Sequence, residues 1–226
     1  MTDKPFSVGI IMDGNRRWAK AKGLPSLEGH RAGYNKTREI LDWAKEAGVT
    51  HLTVYAFSTE NWNRAEEEVG YLMNIFREMI KANTKEAIKK DIRMVFIGQR
   101  ARFAKDIQEA MDDSEKSTKD CTSLTFCIAL SYGGRAEIID AIHRIPKDDI
   151  SAITEDEFAK LLWTREIPDP DLIIRTSGEE RLSNFLPWQS VYSELMFIKT
   201  HWPALTKEEF QNILQAYGER ERRNGK

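Results

Sequence analysis

Six short apolar runs, each followed by a polar or amphipathic stretch, constrain this chain more than any other feature of it. In order they are "SVGIIM" from Ser7, "HLTVYAF" from His51, "IRMVFIG" from Ile92, "SLTFCIAL" from Ser123, "PDLIIR" from Pro170 and "ELMFIK" from Glu194. The segments between them carry a helical period. "NKTREILDWAKEAG" puts Ile40, Leu41, Ala44 and Ala47 on one face and stops at Gly48. A longer helix opens near Glu66, where Glu66, Glu67 and Glu68 favour the positive end of the helix dipole. Its apolar stripe runs through Val69, Leu72, Met73, Phe76, Met79 and Ile80. "ARFAKDIQEAMDDSEKSTK", "AEIIDAIHRI" and "EDEFAKLLW" are further helices; Thr154 with Glu157 forms a capping-box pattern, and Thr206 with Glu209 caps a C-terminal helix. Strands alternating with helices pair in parallel, because each crossover returns the chain to the same end of the sheet. The expected fold is therefore α/β: a single domain over residues 1–226, with a central mostly parallel sheet of about six strands flanked by helices. No repeat, low-complexity tract or linker divides it.

In open parallel sheets ligands bind outside the carboxyl ends of the strands. Here those ends carry unusual residues. The first run leads into Asp13-Gly14-Asn15-Arg16-Arg17-Trp18, the second into Ser58-Thr59-Glu60-Asn61-Trp62-Asn63-Arg64, and the fourth into Ser131-Tyr132-Gly133-Gly134-Arg135. The fifth ends in Arg175-Thr176-Ser177-Gly178 and continues to Arg181-Leu182-Ser183-Asn184. Taken singly, Asp-Gly-Asn is an ordinary turn, Ser-Thr-Glu-Asn a helix cap, and Trp18 and Trp62 packing residues. Taken together they place arginines, hydroxyls and glycines along one sheet edge, a composition that suits phosphate. Asp13 belongs in such a nest only if a cation neutralises it, and Mg2+ is commonly held by one or two carboxylates plus substrate phosphates. No G-x-x-x-x-G-K-[ST] or strand-following G-x-G-x-x-G occurs, so a standard nucleotide site is not expected.

Bulk properties narrow the partners. A formal net charge of −2 gives no global basic field for nucleic acid or anionic membrane. Cys121 and Cys127 alone define neither a disulfide framework nor a zinc pattern. With no run long enough to span a bilayer and no signal-peptide core, the expected location is cytoplasmic.

"IIMDGNRRWA", "GHRAG", "TVYAFSTENWNR", "ALSYGGRAEI" and "DLIIRTSGEERLSNFLPWQSVYSEL", in that order, resemble the motif series of the cis-prenyltransferases, whose best-known members are bacterial undecaprenyl diphosphate synthases. The resemblance runs from about Pro5 to Gly225. It implies a Mg2+-dependent enzyme, usually a homodimer, that condenses isopentenyl diphosphate with an allylic diphosphate and makes a Z double bond at each addition. It also implies site roles: Asp13 binds metal, and Gly14, Asn15, Arg16 and Arg17 cradle the allylic diphosphate. Trp18, His30, Ser58, Thr59, Glu60, Trp62 and Arg64 match further substrate contacts, and Asn61 the proton acceptor. Arg175, Arg181, Leu182 and Ser183 match the isopentenyl diphosphate site, Glu194 a second metal-associated carboxylate, and Arg223, Asn224 and Gly225 a motif that reaches the partner subunit. Farnesyl diphosphate is the expected primer and a polyprenyl diphosphate such as undecaprenyl diphosphate the product, released through transient membrane contact.

Several positions depart from the pattern: Arg16 replaces a glycine, Ser26 an arginine, Ala65 a proline, Pro187 a leucine and Ser7 a histidine. The alternatives that remain are a non-catalytic accessory subunit, a short-chain Z-prenyl diphosphate synthase and a phosphopeptide or nucleic-acid binding module. "DDSEK" from Asp112 lacks the last aspartate of the Asp-Asp-x-x-Asp motif of trans-type enzymes and reads as a solvated helix face.

Overall fold

A computed structural model describes residues 6–146, 150 and 152–220. Six strands form one all-parallel sheet: β1 (Ser7–Ile11), β2 (His51–Ser58), β3 (Ile92–Ile97), β4 (Leu124–Tyr132), β5 (Leu172–Arg175) and β6 (Glu194–Phe197), in the spatial order β3-β4-β2-β1-β5-β6. The helices are α1 (Asn15–Ala21), α2 (Ser26–Glu46), α3 (Glu66–Lys89), α4 (Lys105–Thr118), α5 (Gly134–Arg144), α6 (Glu155–Ala159) and α7 (Lys207–Gly218). Three 3-10 turns at Thr59–Asn63, Arg100–Arg102 and Trp202–Ala204 join them.

All six expected strands are present, and the register sets the site. Ile11 lies opposite Tyr55 of β2 and Arg175 of β5, so the polar segments after β1, β2 and β5 leave the sheet side by side. One face of the sheet packs Val8, Ile10, Leu52, Val54, Phe126 and Ile128 against α2, α3, α4 and α7. The other buries Ile11, Cys127, Ala129, Tyr132 and Ile173 under Phe185 and Leu186. Leu72, Phe76, Met79 and Ile80 of the α3 stripe are buried in the first of these cores, whereas Val69 and Met73 are half-buried. Cys127 is buried within β4 and Cys121 half-buried, both unpaired.

Helix lengths differ from expectation at three places, one of them the helix expected from Ala101, which begins at Lys105 after the 3-10 turn at Arg100–Arg102. The helix expected from Asn35 begins at Ser26, and α1 was not expected as a helix at all. Gly29 and Gly33 within α2 are sites of close approach rather than breaks. A Cβ on Gly29 would lie 2.1 Å from the Asn15 carbonyl oxygen, and one on Gly33 2.4 Å from Asn15 Oδ1. α1 therefore lies directly on α2, which a single-sequence period does not reveal. The helix expected over 155–163 ends at Ala159, although the Thr154–Glu157 capping box forms. Thr206 caps α7 by accepting from the Glu209 N–H at 3.1 Å, while the Glu209 carboxylate turns to Thr200. On α4, Asp112 and Glu115 both hold Arg100, a structural role. No helix among the described residues is long and apolar enough to cross a membrane.

Phe126, fully buried on β4, is a measure of how far the sheet core carries stability. Phe126→Ala is expected to lose about 3–5 kcal/mol of unfolding free energy in urea denaturation; a loss below about 1 kcal/mol would show a core loose enough to collapse around the cavity.

Candidate active site

Where β1 ends, the chain turns sharply through Asp13 and Gly14. The Asp13 N–H donates to Thr176 Oγ1 at 2.9 Å, and the Asp13 carbonyl accepts from the Thr176 hydroxyl at 2.7 Å and from the Trp202 N–H at 3.0 Å. Gly14 adopts φ 100, and a Cβ there would lie 2.6 Å from Ser177 Oγ and 2.8 Å from His201 Nδ1. Only glycine meets both conditions. α1 starts immediately afterwards and projects Arg16 and Arg17 into a cleft of about 850 Å³ at the carboxyl edge of the sheet.

The Asp13 carboxylate sits between two guanidiniums. Arg175 donates to Oδ2 at 2.9 Å, and Arg17 lies 3.2 Å from Oδ1, which also accepts from the Gly14 N–H at 2.7 Å. Burial alone would raise the Asp13 pKa, but Arg175 and then Arg17 outweigh it and hold the carboxyl below its ordinary value. Arg175 is 4% exposed, and its other donor contacts are the Arg181 carbonyl and Ser183 Oγ. Its buried Nε finds no partner among the described residues. Arg17 reaches onward to the Ser177 carbonyl and to Glu179, both at 3.1 Å, and Arg181 pairs with Glu179 at 2.5 Å.

On the opposite wall Glu68, in the first turn of α3, gathers three cationic or ionisable groups. His30 Nε2 and Arg64 stand 3.0 Å from its Oε1, and Arg16 stands 3.5 Å from its Oε2. Burial holds the His30 imidazole below its ordinary pKa, against the pull of Glu68. Glu68, which burial would raise, is held low by His30, Arg64 and Arg16. The 3-10 turn after β2 supplies the floor. The Asn61 carboxamide oxygen accepts from the Ser58 N–H at 3.1 Å, and Asn61 lines the cleft. Glu60 takes an N–H from Asn184 at 3.0 Å, bridging the turn to the loop after β5. Asn184 is fixed in turn by α5, whose Gly134 and Arg135 N–H groups donate to its backbone and side-chain oxygens at 2.8 and 2.9 Å.

The structure thus brings Asp13, Gly14, Asn15, Arg16, Arg17, His30, Ser58, Glu60, Asn61, Arg64, Arg175, Arg181 and Ser183 onto the walls of one cleft. Other expected residues lie elsewhere. Trp62 packs its ring on Phe57 and Phe103 and donates to Ser131 Oγ at 2.9 Å, so it is a packing residue. Trp18 lies under Lys22, Leu182 joins the apolar cluster beneath the sheet, and Thr59 donates to Glu60; Ser26, which stands where an arginine is usual and was not expected to bind, is exposed and opens α2. None of these five lines the cleft.

Glu194 departs most from expectation. It opens β6 opposite Leu172, itself opposite Val8, which puts it at the amino end of the sheet. Five residues of strand rise separate that level from Asp13, about 16 Å. Glu194 pairs instead with Arg220, and within one chain the fold does not join it to Asp13. Arg223, Asn224 and Gly225 lie outside the described residues. Glu68 and Glu179 carry much of the geometry without having been expected to, and Ser177 and Asn184 were read only as part of a polar strand end. Glu68 was legible only as part of an acidic first turn, because its partners come from three other segments.

The Prenyltransf family model, described as "Putative undecaprenyl diphosphate synthase", matches residues 11–225. An isoprenyl transferase of Fusobacterium nucleatum is 46% identical over 221 residues, covering 98% of this chain and 96% of that one. A trans,polycis-polyprenyl diphosphate synthase specific for (2Z,6E)-farnesyl diphosphate, from Thermobifida fusca, is 42% identical over 227 residues, 98% and 80% of the two chains. Among solved structures, lavandulyl diphosphate synthase from Lavandula x intermedia in complex with dimethylallyl diphosphate superposes with a TM-score of 0.92 at 34% identity, over 98% of each chain.

The low His30 pKa has a consequence for stability. The unfolded chain takes up a proton on this ring near pH 6.5, before the folded chain does, so stability falls as pH drops below that value. His30→Gln, which can keep the bond to Glu68, is expected to lose less stability than the wild type between pH 7.5 and pH 5.5 in urea titrations. An unchanged pH dependence would contradict the assignment.

Proposed function

The chain belongs to the undecaprenyl diphosphate synthase family of prenyltransferases, and from that membership we propose that it extends an allylic diphosphate, farnesyl diphosphate first, with isopentenyl diphosphate to a Z-polyprenyl diphosphate of the undecaprenyl type. The observation that carries this reading is the single cleft in which Asp13 and Asn61 meet five arginines at the carboxyl ends of β1, β2 and β5. An accessory subunit has no need of these groups together, and a nucleic-acid module would need a basic field that a net charge of −2 does not supply.

In this reading the allylic diphosphate lies against the first-turn N–H groups of α1, Arg16, Arg17 and Arg64. Isopentenyl diphosphate lies against Arg181, Ser183 and Asn184, the segment that Arg175 holds from beneath. A C–C bond forms between the allylic C1 and the terminal alkene carbon. The allylic C–O bond breaks, diphosphate leaves, and a proton departs from the carbon next to the old alkene. The guanidiniums stabilise charge on the departing oxygens, and the two fixed diphosphates hold the reacting carbons together. Asn61 is a poor base, and its oxygen already accepts from Ser58. It acts as a donor that orients diphosphate or water, and these take the proton.

Mg2+ fits this site through Asp13. Its oxygens accept from two guanidiniums and one N–H, yet a carboxylate has about four lone-pair sites, so capacity remains toward the cleft. No group of three or more ligating side chains gathers among the described residues, so substrate phosphates and water would complete the shell. When bound, the ion neutralises the leaving diphosphate. A homodimer is part of the same proposal: apolar side chains stand exposed at Ile139 and Ile142 of α5 and at Val191, Tyr192 and Leu195 beside edge strand β6.

The test is transfer of radiolabelled isopentenyl diphosphate to farnesyl diphosphate. Asp13→Ala is expected to lower kcat/KM by about 10²–10³-fold, and EDTA to stop the wild type; full activity in EDTA would remove the metal, and no product from any primer would favour the accessory role. Tyr192→Asp is expected to halve the mass seen by light scattering, and an unchanged mass would move the interface elsewhere.

A further inference from the structure

The apolar part of the cleft wall is Ile11, Met12, Ala56 and Leu72, of which the last three form a corner packed with the core on the α2 and α3 face of the sheet; most of the remaining wall is charged or polar. A growing hydrocarbon tail leaves through that corner, away from the diphosphates. Met12 there touches Thr37 of α2, and Leu72 belongs to α3, so the corner faces the seam between these helices. Along the seam α2 and α3 run in the same direction, joined at the surface by Arg31–Glu78, Arg38–Glu86 and Asp42–Lys90. Below the His30–Glu68 pair at the cleft, the buried side chains of the two helices are mostly apolar, Thr37 and Asn83 excepted. One hydrogen bond crosses the seam there, from the Tyr34 hydroxyl to Asn83 Oδ1 at 3.2 Å.

Asn83 is 3% exposed, and its Nδ2 has no partner among the described residues. Its α3 neighbours Met79, Ile80 and Ala87 are buried and apolar. It also borders a small cavity of about 10 Å³, room for a single water, whose lining includes the apolar Leu41, Ile92 and Met94 and the charged Arg38, Glu86 and Lys90. At about 1.5 Å of helix rise per residue, Asn83 lies about 16 Å along α3 from Leu72.

We infer that the Tyr34–Asn83 hydrogen bond is a polar stop that limits how far the tail threads between α2 and α3, and so limits product length. This rests on the proposed chain elongation and specifies its length control. A tail advancing past the pair must break the O–H···O bond, strip the carboxamide of its remaining partner and run into the charged side chains of Arg38, Glu86 and Lys90. A tail that halts above the pair meets mostly apolar side chains.

The experiment compares products by mass spectrometry for the wild type, Asn83→Leu and Tyr34→Phe, with farnesyl diphosphate and excess isopentenyl diphosphate. Asn83→Leu keeps the volume and removes the polarity; Tyr34→Phe keeps the ring and removes the hydroxyl. Both are expected to make products longer by at least one isoprene unit, while the single-turnover rate of the first condensation stays at the wild-type value. A raised melting temperature in Asn83→Leu, from loss of the orphan amide, is a second expected readout. If the pair only staples the helices, melting temperatures fall and the product range is unchanged; unchanged or shorter products in both variants overturn the inference. A wild-type chain that makes no product from any primer overturns the elongation reading itself, and is recognised before any variant is made.

Discussion

A guanidinium buried between two strands holds this site together. Arg175, at the tip of β5, is almost wholly enclosed, while its partner Asp13, at the tip of β1, is 28% exposed. The pair is therefore asymmetric: the cation belongs to the framework and the carboxylate to the cleft. Arg175 also donates through one terminal nitrogen to the Arg181 carbonyl and Ser183 Oγ, so one side chain ties β1, β5 and the following loop into one body. Removing one member of such a pair strands the other, at a cost of roughly 3–5 kcal/mol when both are buried. With Asp13 facing water the cost is smaller, and it falls on positioning more than on folding.

The cleft balances its own charge. Arg17 and Arg181 rest on Glu179, while Arg16, Arg64 and His30 rest on Glu68. An incoming diphosphate thus finds arginines already extended and ordered, and it exchanges carboxylate contacts for phosphate contacts without first immobilising flexible side chains. Two glycines serve the same end: Gly14 admits the turn over Ser177 and His201, and Gly134 passes where a Cβ would lie 1.9 Å from Pro187. Both keep backbone segments closer than any side chain allows.

Local signals in the sequence were enough for the sheet. Each strand is a contiguous apolar run, and alternation with helices forces parallel pairing, so the strand tips and most cleft residues followed from pattern and resemblance together. What escaped depends on separation in sequence. Glu68 acquires its meaning from residues 4, 38 and 52 positions away, and a stretch of three glutamates gives no hint of which one turns inward. Glu194 sits in a matching motif, yet its place at the start of β6 sends it to the other end of the sheet from Asp13, a consequence of register that motif order does not encode. Trp62 matches a substrate-contact position by resemblance, yet its residue type alone reads as packing, and its ring closes the aromatic cluster of Phe57, Phe76 and Phe103. The α3 stripe shows the same limit: an apolar period says that a face is buried, not against what.

The account turns on Asp13 and its arginines forming one diphosphate-binding unit. A crystal structure with an unreactive allylic thiodiphosphate and Mg2+ tests this most directly. The diphosphate is predicted against the first turn of α1, within hydrogen-bond distance of Arg17, with the cation on the Asp13 carboxylate and the Asp13–Arg175 contact kept. A diphosphate bound away from Asp13, or a cation seated elsewhere, would contradict it.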